Sequence, residues 1–281
     1  MIMTPNIIKV RKIIAHVRKS GKKIGFVPTM GALHSGHLSL VRAAKKECDF
    51  CAVSIFINPT QFGPREDYRK YPRTFKRDQQ LLKKEKIDVI FHPSVNNMYL
   101  SRFSTYVEEK YLSRVLCGKS RPGHFMGVCT VVTKLFNIIQ PDIAYFGQKD
   151  YQQAQIIKRM VRDLNFPVEI KVLPIIREKS GLALSSRNTY LDNQKRTEAA
   201  SIYSALRLAK KLIKDGERNP RRVINKIKSC IFLQRRAKVE YIKIVNADNL
   251  RDVRKIKGTI LVAMAVYFGK TRLIDNIVVR V

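Results

Sequence analysis

The chain has 281 residues, 45% of them hydrophobic, five cysteines and a formal net charge of +33. That length exceeds the commonest domain size, so two domains, or one with a large appendage, are expected. No apolar run approaches the roughly 18 residues of a membrane span, Met1 to Asn6 lacks the pattern of a signal peptide, and an odd cysteine count argues against a disulfide framework. A cytoplasmic protein without membrane partners is expected.

The charge invites a nucleic-acid reading, because basic surfaces bind phosphate backbones through counterion release. From Arg177 onward there are 25 Lys and Arg against 9 Asp and Glu, a net +16, which leaves +17 for the first 176 residues. Charge spread this evenly forms neither tail nor stripe and reads as a solvated basic surface, so no specific nucleic-acid partner is expected.

In chain order, Ile7, Val10, Ile13, Ile14 and Val17 recur at helical spacing and predict a first helix over 7–20, stopped by Gly21. Ile24 to Val27 is a short strand. It leads through Pro28-Thr-Met-Gly31-Ala-Leu-His34-Ser-Gly36-His37 into a helix marked by Leu38, Leu40, Val41 and Ala44. Gly31 and Gly36 allow close backbone approach, and the first N–H groups of the helix suit an anion. Cys48 and Cys51 have the spacing of a redox or zinc knuckle but lack a second pair, so core or helix-end thiols are expected. Phe50 to Ile57 is an apolar run of strand length, suited to a central parallel strand. Thr74 is expected to cap a helix to about Lys86, and Ile87 to Phe91 is the next strand.

The middle of the chain continues the alternation. Ser104 to Glu108 is read as a strand, and a basic loop then places Arg121 and His124 before an apolar helix over 126–139, where they could face an anion. Ile143 to Phe146 is a strand, Gly147-Gln148-Lys149-Asp150 its turn, 151–164 a helix and 168–173 a further strand. This pattern predicts an α/β fold, a Rossmann-like doubly wound parallel sheet that binds ligands beyond the carboxyl ends of its strands. After the polar loop from Arg177 to Asn188 come helices over 193–214 and 220–233 and strands over 239–245, 259–268 and 272–281. The expected division is therefore 1–175 as a Rossmann-like domain and 176–281 as a smaller C-terminal α+β lid domain.

Two histidines three apart at a helix start can both reach one side of a phosphate without the permanent charge of lysine. A bare HxxH is weak and could equally be a metal pair or incidental. Here the preceding strand, flanking glycines and following helix favour the nucleotide reading. No GxxxxGK[ST] loop and no Gly-x-Ser-x-Gly elbow are present, so neither Walker-type ATP binding nor an α/β-hydrolase is indicated. Lys149 and Ser185-Ser186-Arg187 also follow strands. They would supply cations and hydroxyls where nucleotidyl transfer gathers negative charge.

Six segments, ordered along the chain, carry a resemblance. They are Pro28 to His37, Ser54-Ile-Phe-Ile-Asn-Pro-Thr-Gln61-Phe-Gly63, Tyr71-Pro-Arg-Thr74, Arg121-Pro-Gly-His124-Phe125, Phe146-Gly-Gln-Lys-Asp-Tyr-Gln-Gln153 and Gly181-Leu-Ala-Leu-Ser-Ser-Arg-Asn188. With these the chain resembles the pantothenate synthetase (pantoate–β-alanine ligase) family of the HIGH-motif nucleotidyltransferase superfamily, from about residue 5 to the Leu273-Ile-Asp-Asn-Ile stretch.

The resemblance implies condensation of pantoate with β-alanine through a pantoyl adenylate, with ATP as co-substrate, Mg²⁺ beside it and a homodimeric assembly. It implies that Met30, Gly31, Ala32, Leu33, His34, Ser35, Gly36 and His37 line the nucleotide site, with Gly147, Gln148, Lys149, Asp150, Ile176, Leu184, Ser185, Ser186 and Arg187. The catalytic set would be His34, His37, Lys149, Ser185, Ser186 and Arg187, with His37 the proton donor. Gln61 and Gln153 would hold pantoate. Asn58, Tyr71, Arg121 and His124 stand behind these, and the resemblance leaves the metal ligands unassigned. Gln148 stands where many relatives carry Glu. Two rivals are an enzyme that keeps the adenylate as product and an RNA-binding synthetase relative, which would need an anticodon-type extension or an RNA-binding motif.

Overall fold

The structure is a computed structural model and describes residues 1–64 and 66–281. The chain divides into two compact units, one of residues 1–114, 118–147 and 153–174, the other of 115–117, 148–152 and 175–281.

The first unit is built on six strands: β1 (Ile2–Thr4), β2 (Ile24–Thr29), β3 (Phe50–Ile55), β4 (Val89–Phe91), β5 (Ile143–Gly147) and β6 (Glu169–Leu173). They form one sheet in the order β1-β4-β3-β2-β5-β6, and every pairing is parallel. Side chains alternate across a strand, so β2 serves two layers. Val27 joins Cys51, Val53, Ile143 and Tyr145 in a buried cluster with Leu38, Val41 and Ala44 of helix Ser35–Glu47. Its neighbour Phe26 meets Phe136 of helix His124–Ile139 edge to face, at 6.4 Å. Both faces of the sheet are thus covered, which is the doubly wound arrangement. Each fully buried Val, Leu or Ile in these layers contributes about 1.5–3 kcal/mol of hydrophobic stabilisation.

The first helix, Ile7–Lys19, buries Val10, Ile14 and Val17 and leaves its basic residues outward. Cys48 ends helix Ser35–Glu47 and Cys51 lies inside β3, both buried thiols, and burial pushes Cys51 up to about 12. Three expectations are corrected. Residues 104–108 form no strand: the Val107 N–H donates to the Thr130 hydroxyl at 3.0 Å instead of to a neighbouring strand. Thr74 is the N-cap residue of helix Phe75–Lys84, but its side chain caps no backbone N–H, because its Oγ1 donates to Asp78 at 3.1 Å. The helix read as continuous over 193–214 is two, Asn193–Ala199 and Ser201–Lys214, with the ladder tightening to i−3 bonds on both sides of Ala200.

In the second unit, β7 (Ala237–Asn246), β8 (Thr259–Phe268) and β9 (Thr271–Arg280) make an antiparallel sheet. Helices Ser201–Lys214 and Pro220–Phe232 lay Leu206, Ile213, Val223 and Ile227 on its Ile242, Ile260, Val262 and Met264, forming the core of this unit.

Candidate active site

From β2 the chain builds outward through β3 and β4; with β5 it returns to the other side of β2 and continues to β6. The switch point of this parallel sheet is therefore between β2 and β5, where ligands of such sheets bind outside the carboxyl ends. β2 runs directly into the Met30–His37 turn and β5 ends at Gly147.

The turn is held from beneath by a residue that sequence reasoning did not single out. Asp78, buried in helix Phe75–Lys84, accepts the N–H groups of Ala32 and Leu33, each at 2.9 Å. Thr29 Oγ1 accepts the Gly31 N–H at 3.1 Å and itself donates to the Ser54 carbonyl at 2.8 Å. Gly31 has φ +82° and Ala32 φ 50°. A left-handed alanine costs on the order of 1 kcal/mol, which the two bonds to Asp78 offset. At Gly31 even a methyl group would stand 3.1 Å from both Asp78 Oδ2 and Ile55 Cγ2.

His34 is the N-cap of helix Ser35–Glu47 and His37 lies in its first turn. His34 Nδ1 accepts the Gly36 N–H at 3.1 Å, while His37 Nδ1 accepts the His34 N–H at 3.4 Å. A nitrogen that accepts cannot carry the proton, so both neutral rings carry it on Nε2. The first turn contains no acidic residue to compete at this positive helix end.

Gln61, buried at the end of the 3₁₀ turn Pro59–Gln61, comes to the same strand ends. Its side chain accepts from Asn58 Nδ2 at 3.1 Å and donates towards the Met30 sulfur at 3.2 Å. Asn58 is fixed in turn by the Gly127 carbonyl at 3.0 Å, the Tyr99 hydroxyl at 2.7 Å and Thr60 Oγ1 at 2.9 Å. Gly127 admits this packing because a Cβ there would lie 2.4 Å from the Thr60 carbonyl oxygen. Tyr71 is buried with its ring edge-on to Phe62 at 5.9 Å. Gln153 sits half-buried in the first turns of helix Tyr151–Asp163. The Arg121 charge, read as a candidate for an anion, is instead taken by Glu66.

In the second unit, Gln148, Lys149 and Asp150 form a 3₁₀ turn, with Lys149 Nζ 3.3 Å from Asp150. Asn276 of β9 holds that turn, its amide donating to the Gln148 and Lys149 carbonyls at 3.0 Å each while Gln148 Nε2 donates to its Oδ1 at 3.3 Å. The preceding residue, Asp275, receives Arg177 in a bidentate pair at 2.6 and 3.0 Å. Burial pushes the Asp275 carboxyl up from its ordinary range, against the pull of Arg177. Arg177 also donates to the Gly181 carbonyl at 3.1 Å and lies 3.9 Å above the Tyr203 ring. The Leu184 N–H donates to the Ile176 carbonyl at 3.0 Å. Ser186 is buried in the following 3₁₀ turn, where Ser185 Oγ accepts the Arg187 N–H at 3.3 Å. Asp275 and Asn276, adjacent in sequence, thus anchor both loops that carry candidate residues. The Leu273-Ile-Asp-Asn-Ile stretch was their only trace in the sequence.

A parallel sheet covered on both faces, with paired imidazoles at its switch point, defines an α/β protein of the doubly wound class. The chain belongs to the pantoate-beta-alanine ligase family of enzymes, whose model matches residues 2–278. It is 53% identical to the pantothenate synthetase of Caldicellulosiruptor saccharolyticus over 281 residues, covering 100% of both chains. It is 55% identical to that of Thermosipho melanesiensis over 279 residues, covering 99% of each. Among solved structures, the pantothenate synthetase of Thermus thermophilus superposes with a TM-score of 0.94 at 40% identity, covering 99% of both chains. The Francisella tularensis pantoate-beta-alanine ligase, complexed with beta-gamma ATP and beta-alanine, gives 0.82 at 42% identity, covering 99% of this chain and 97% of that one.

Proposed function

We propose that the enzyme joins pantoate to β-alanine in a reaction driven by ATP, releasing AMP and pyrophosphate. The observation that carries this reading is the pair of imidazoles at the switch point, His34 and His37, each with Nδ1 on a backbone N–H, in the turn whose Met30 meets the buried Gln61 amide. In the first step a pantoate carboxylate oxygen forms a bond to the α-phosphorus of ATP, and the bond to the bridging oxygen of pyrophosphate breaks. A carboxylate is already ionised at neutral pH and needs no base. The chain's work there is to orient it and to stabilise phosphate charge. His34 and His37 donate to the phosphates from Nε2, so His37 acts first as a hydrogen-bond donor, and acid–base work is confined to the departing group or the incoming ammonium. In the second step the deprotonated amine of β-alanine attacks the acyl carbon and AMP leaves.

Gln61 and Gln153 hold pantoate in this reading. Met30 to His37 and Gly147 line the nucleotide site, joined by Gln148, Lys149, Asp150, Ile176, Leu184, Ser185, Ser186 and Arg187. A Mg²⁺ bound with ATP would lower the charge that the attacking carboxylate meets, and phosphate and water rather than a cage of side chains would hold it. Gln148 and Asp150 are the polar side chains beside Lys149, and both are engaged within the protein, which suits a cation carried by phosphate. A cytoplasmic homodimer, with the unit containing 176–281 as a lid, completes the proposal.

The test is product analysis with each component omitted in turn. Pantothenate, AMP and pyrophosphate should form in equal amounts only when ATP, Mg²⁺, pantoate and β-alanine are all present. ADP as product, or steady turnover without β-alanine, would refute the reading.

A further inference from the structure

We infer that Glu66, Arg121 and His124 form a positioning chain that fixes Gln61 for the hydroxy acid; this rests on the reading of Gln61 as a pantoate ligand. The Glu66 carboxylate accepts Arg121 Nε at 2.7 Å and Nη2 at 2.6 Å, a fork-to-fork pair. Arg121 Nη1 lies 3.0 Å from His124 Nε2. A guanidinium only donates, so Nε2 is the bare nitrogen and the His124 proton is on Nδ1. That Nδ1–H donates to the Gln61 carbonyl at 2.7 Å, and Arg121 Nη2 reaches the same oxygen at 3.4 Å.

The chain is enclosed, with Arg121 and Glu66 side chains 15% and 24% exposed and His124 9%, so solvent competes weakly with it. It grips the main chain of Gln61, while Asn58 grips the side-chain oxygen. The Gln61 amide nitrogen is left against a thioether, a weak acceptor, and a carboxylate is a much stronger one. Each of the three residues has its polar atoms turned to the next, so they act through Gln61 and need not touch substrate. Orientation set this way is established on folding and is available at each binding event.

The experiment measures KM for pantoate and for ATP, with thermal melting, in the full-length enzyme carrying Gln61→Ala, Glu66→Gln, His124→Phe or His124→Asn. Glu66→Gln and His124→Phe should each raise KM for pantoate about tenfold while KM for ATP stays within about twofold. His124→Asn, which keeps an N–H near the Nδ1 position, should recover most of the loss. In a Gln61→Ala background His124→Phe should add less than about twofold, since residues acting as one unit are not additive. Unchanged KM for pantoate in folded Glu66→Gln, equal rises for both substrates, or a full added effect on Gln61→Ala would overturn the inference. If Gln61→Ala itself leaves KM for pantoate unchanged, the assignment of Gln61 falls first and the inference with it. Should His124→Phe not fold, Glu66→Gln and His124→Asn decide alone.

Discussion

The rings of His34 and His37 lie 4.1 Å apart, centroid to centroid, each with Nδ1 turned inward onto a backbone N–H of the turn they share. This leaves the two Nε2–H groups as the ring donors, supplied by neutral side chains that the helix start has already oriented.

His37→Ala should therefore reduce pantoate-dependent ATP–pyrophosphate exchange by about 10²- to 10³-fold, the range seen when one donor to a developing anion is removed. Its melting temperature should stay within a few degrees of the parent enzyme. Nitrogen-15 NMR of the histidines gives an independent check, with Nε2–H tautomers at His34 and His37 and an Nδ1–H tautomer at His124.

Asp78 carries the turn that presents those rings. Asp78→Ala removes the carboxylate that accepts the buried Ala32 and Leu33 N–H groups, at a cost of about 2–5 kcal/mol by urea unfolding. Asp78→Asn keeps one acceptor and should fall between this variant and the parent.

Asn276→Ala removes two bonds to the main chain at Gln148 and Lys149. Stability should fall by about 1–3 kcal/mol, and kcat/KM for ATP should fall more than kcat/KM for pantoate. An equal loss for both substrates would mean that the turn does not serve the nucleotide.

Glu66 makes acid sensitivity a readout of its pair. Burial pushes its carboxyl up, but the hydrogen bonds and charge of Arg121 more than offset this and hold it below its usual value. The unfolded chain then binds the proton first as pH falls. The pair's contribution is complete above the usual carboxylate range and is lost on descent through the lowered value. The drop in stability between neutral pH and about pH 3 should be smaller in Glu66→Gln than in the parent.

The elements that frame the site were legible because local rules suffice there. Ile24 to Val27, the paired glycines and the Leu38-Leu40-Val41-Ala44 stripe each follow from period and turn chemistry. β1 escaped because three residues, two of them exposed, carry no period, and only their pairing with β4 makes them a strand. Ser104 to Glu108 has strand-like side chains but no neighbour to pair with among the described residues. The roles of Asp78, Glu66 and Asn276 were hidden for a different reason. Their partners lie 45 and 46, 55, and 127 and 128 residues away, and no spacing rule reaches that far. The histidines and the N–H groups that orient their rings lie within one visible turn, whereas the carboxylate that holds this turn, Asp78, was supplied by a tertiary contact.

The central claim is that a pantoate carboxylate oxygen attacks the α-phosphorus of ATP. Pantoate labelled with oxygen-18 in its carboxylate, turned over once with ATP, Mg²⁺ and β-alanine, tests it by mass spectrometry of the nucleotide product. The account predicts that AMP carries a single heavy oxygen and pyrophosphate none. Unlabelled AMP, or label appearing in pyrophosphate or inorganic phosphate, would contradict it.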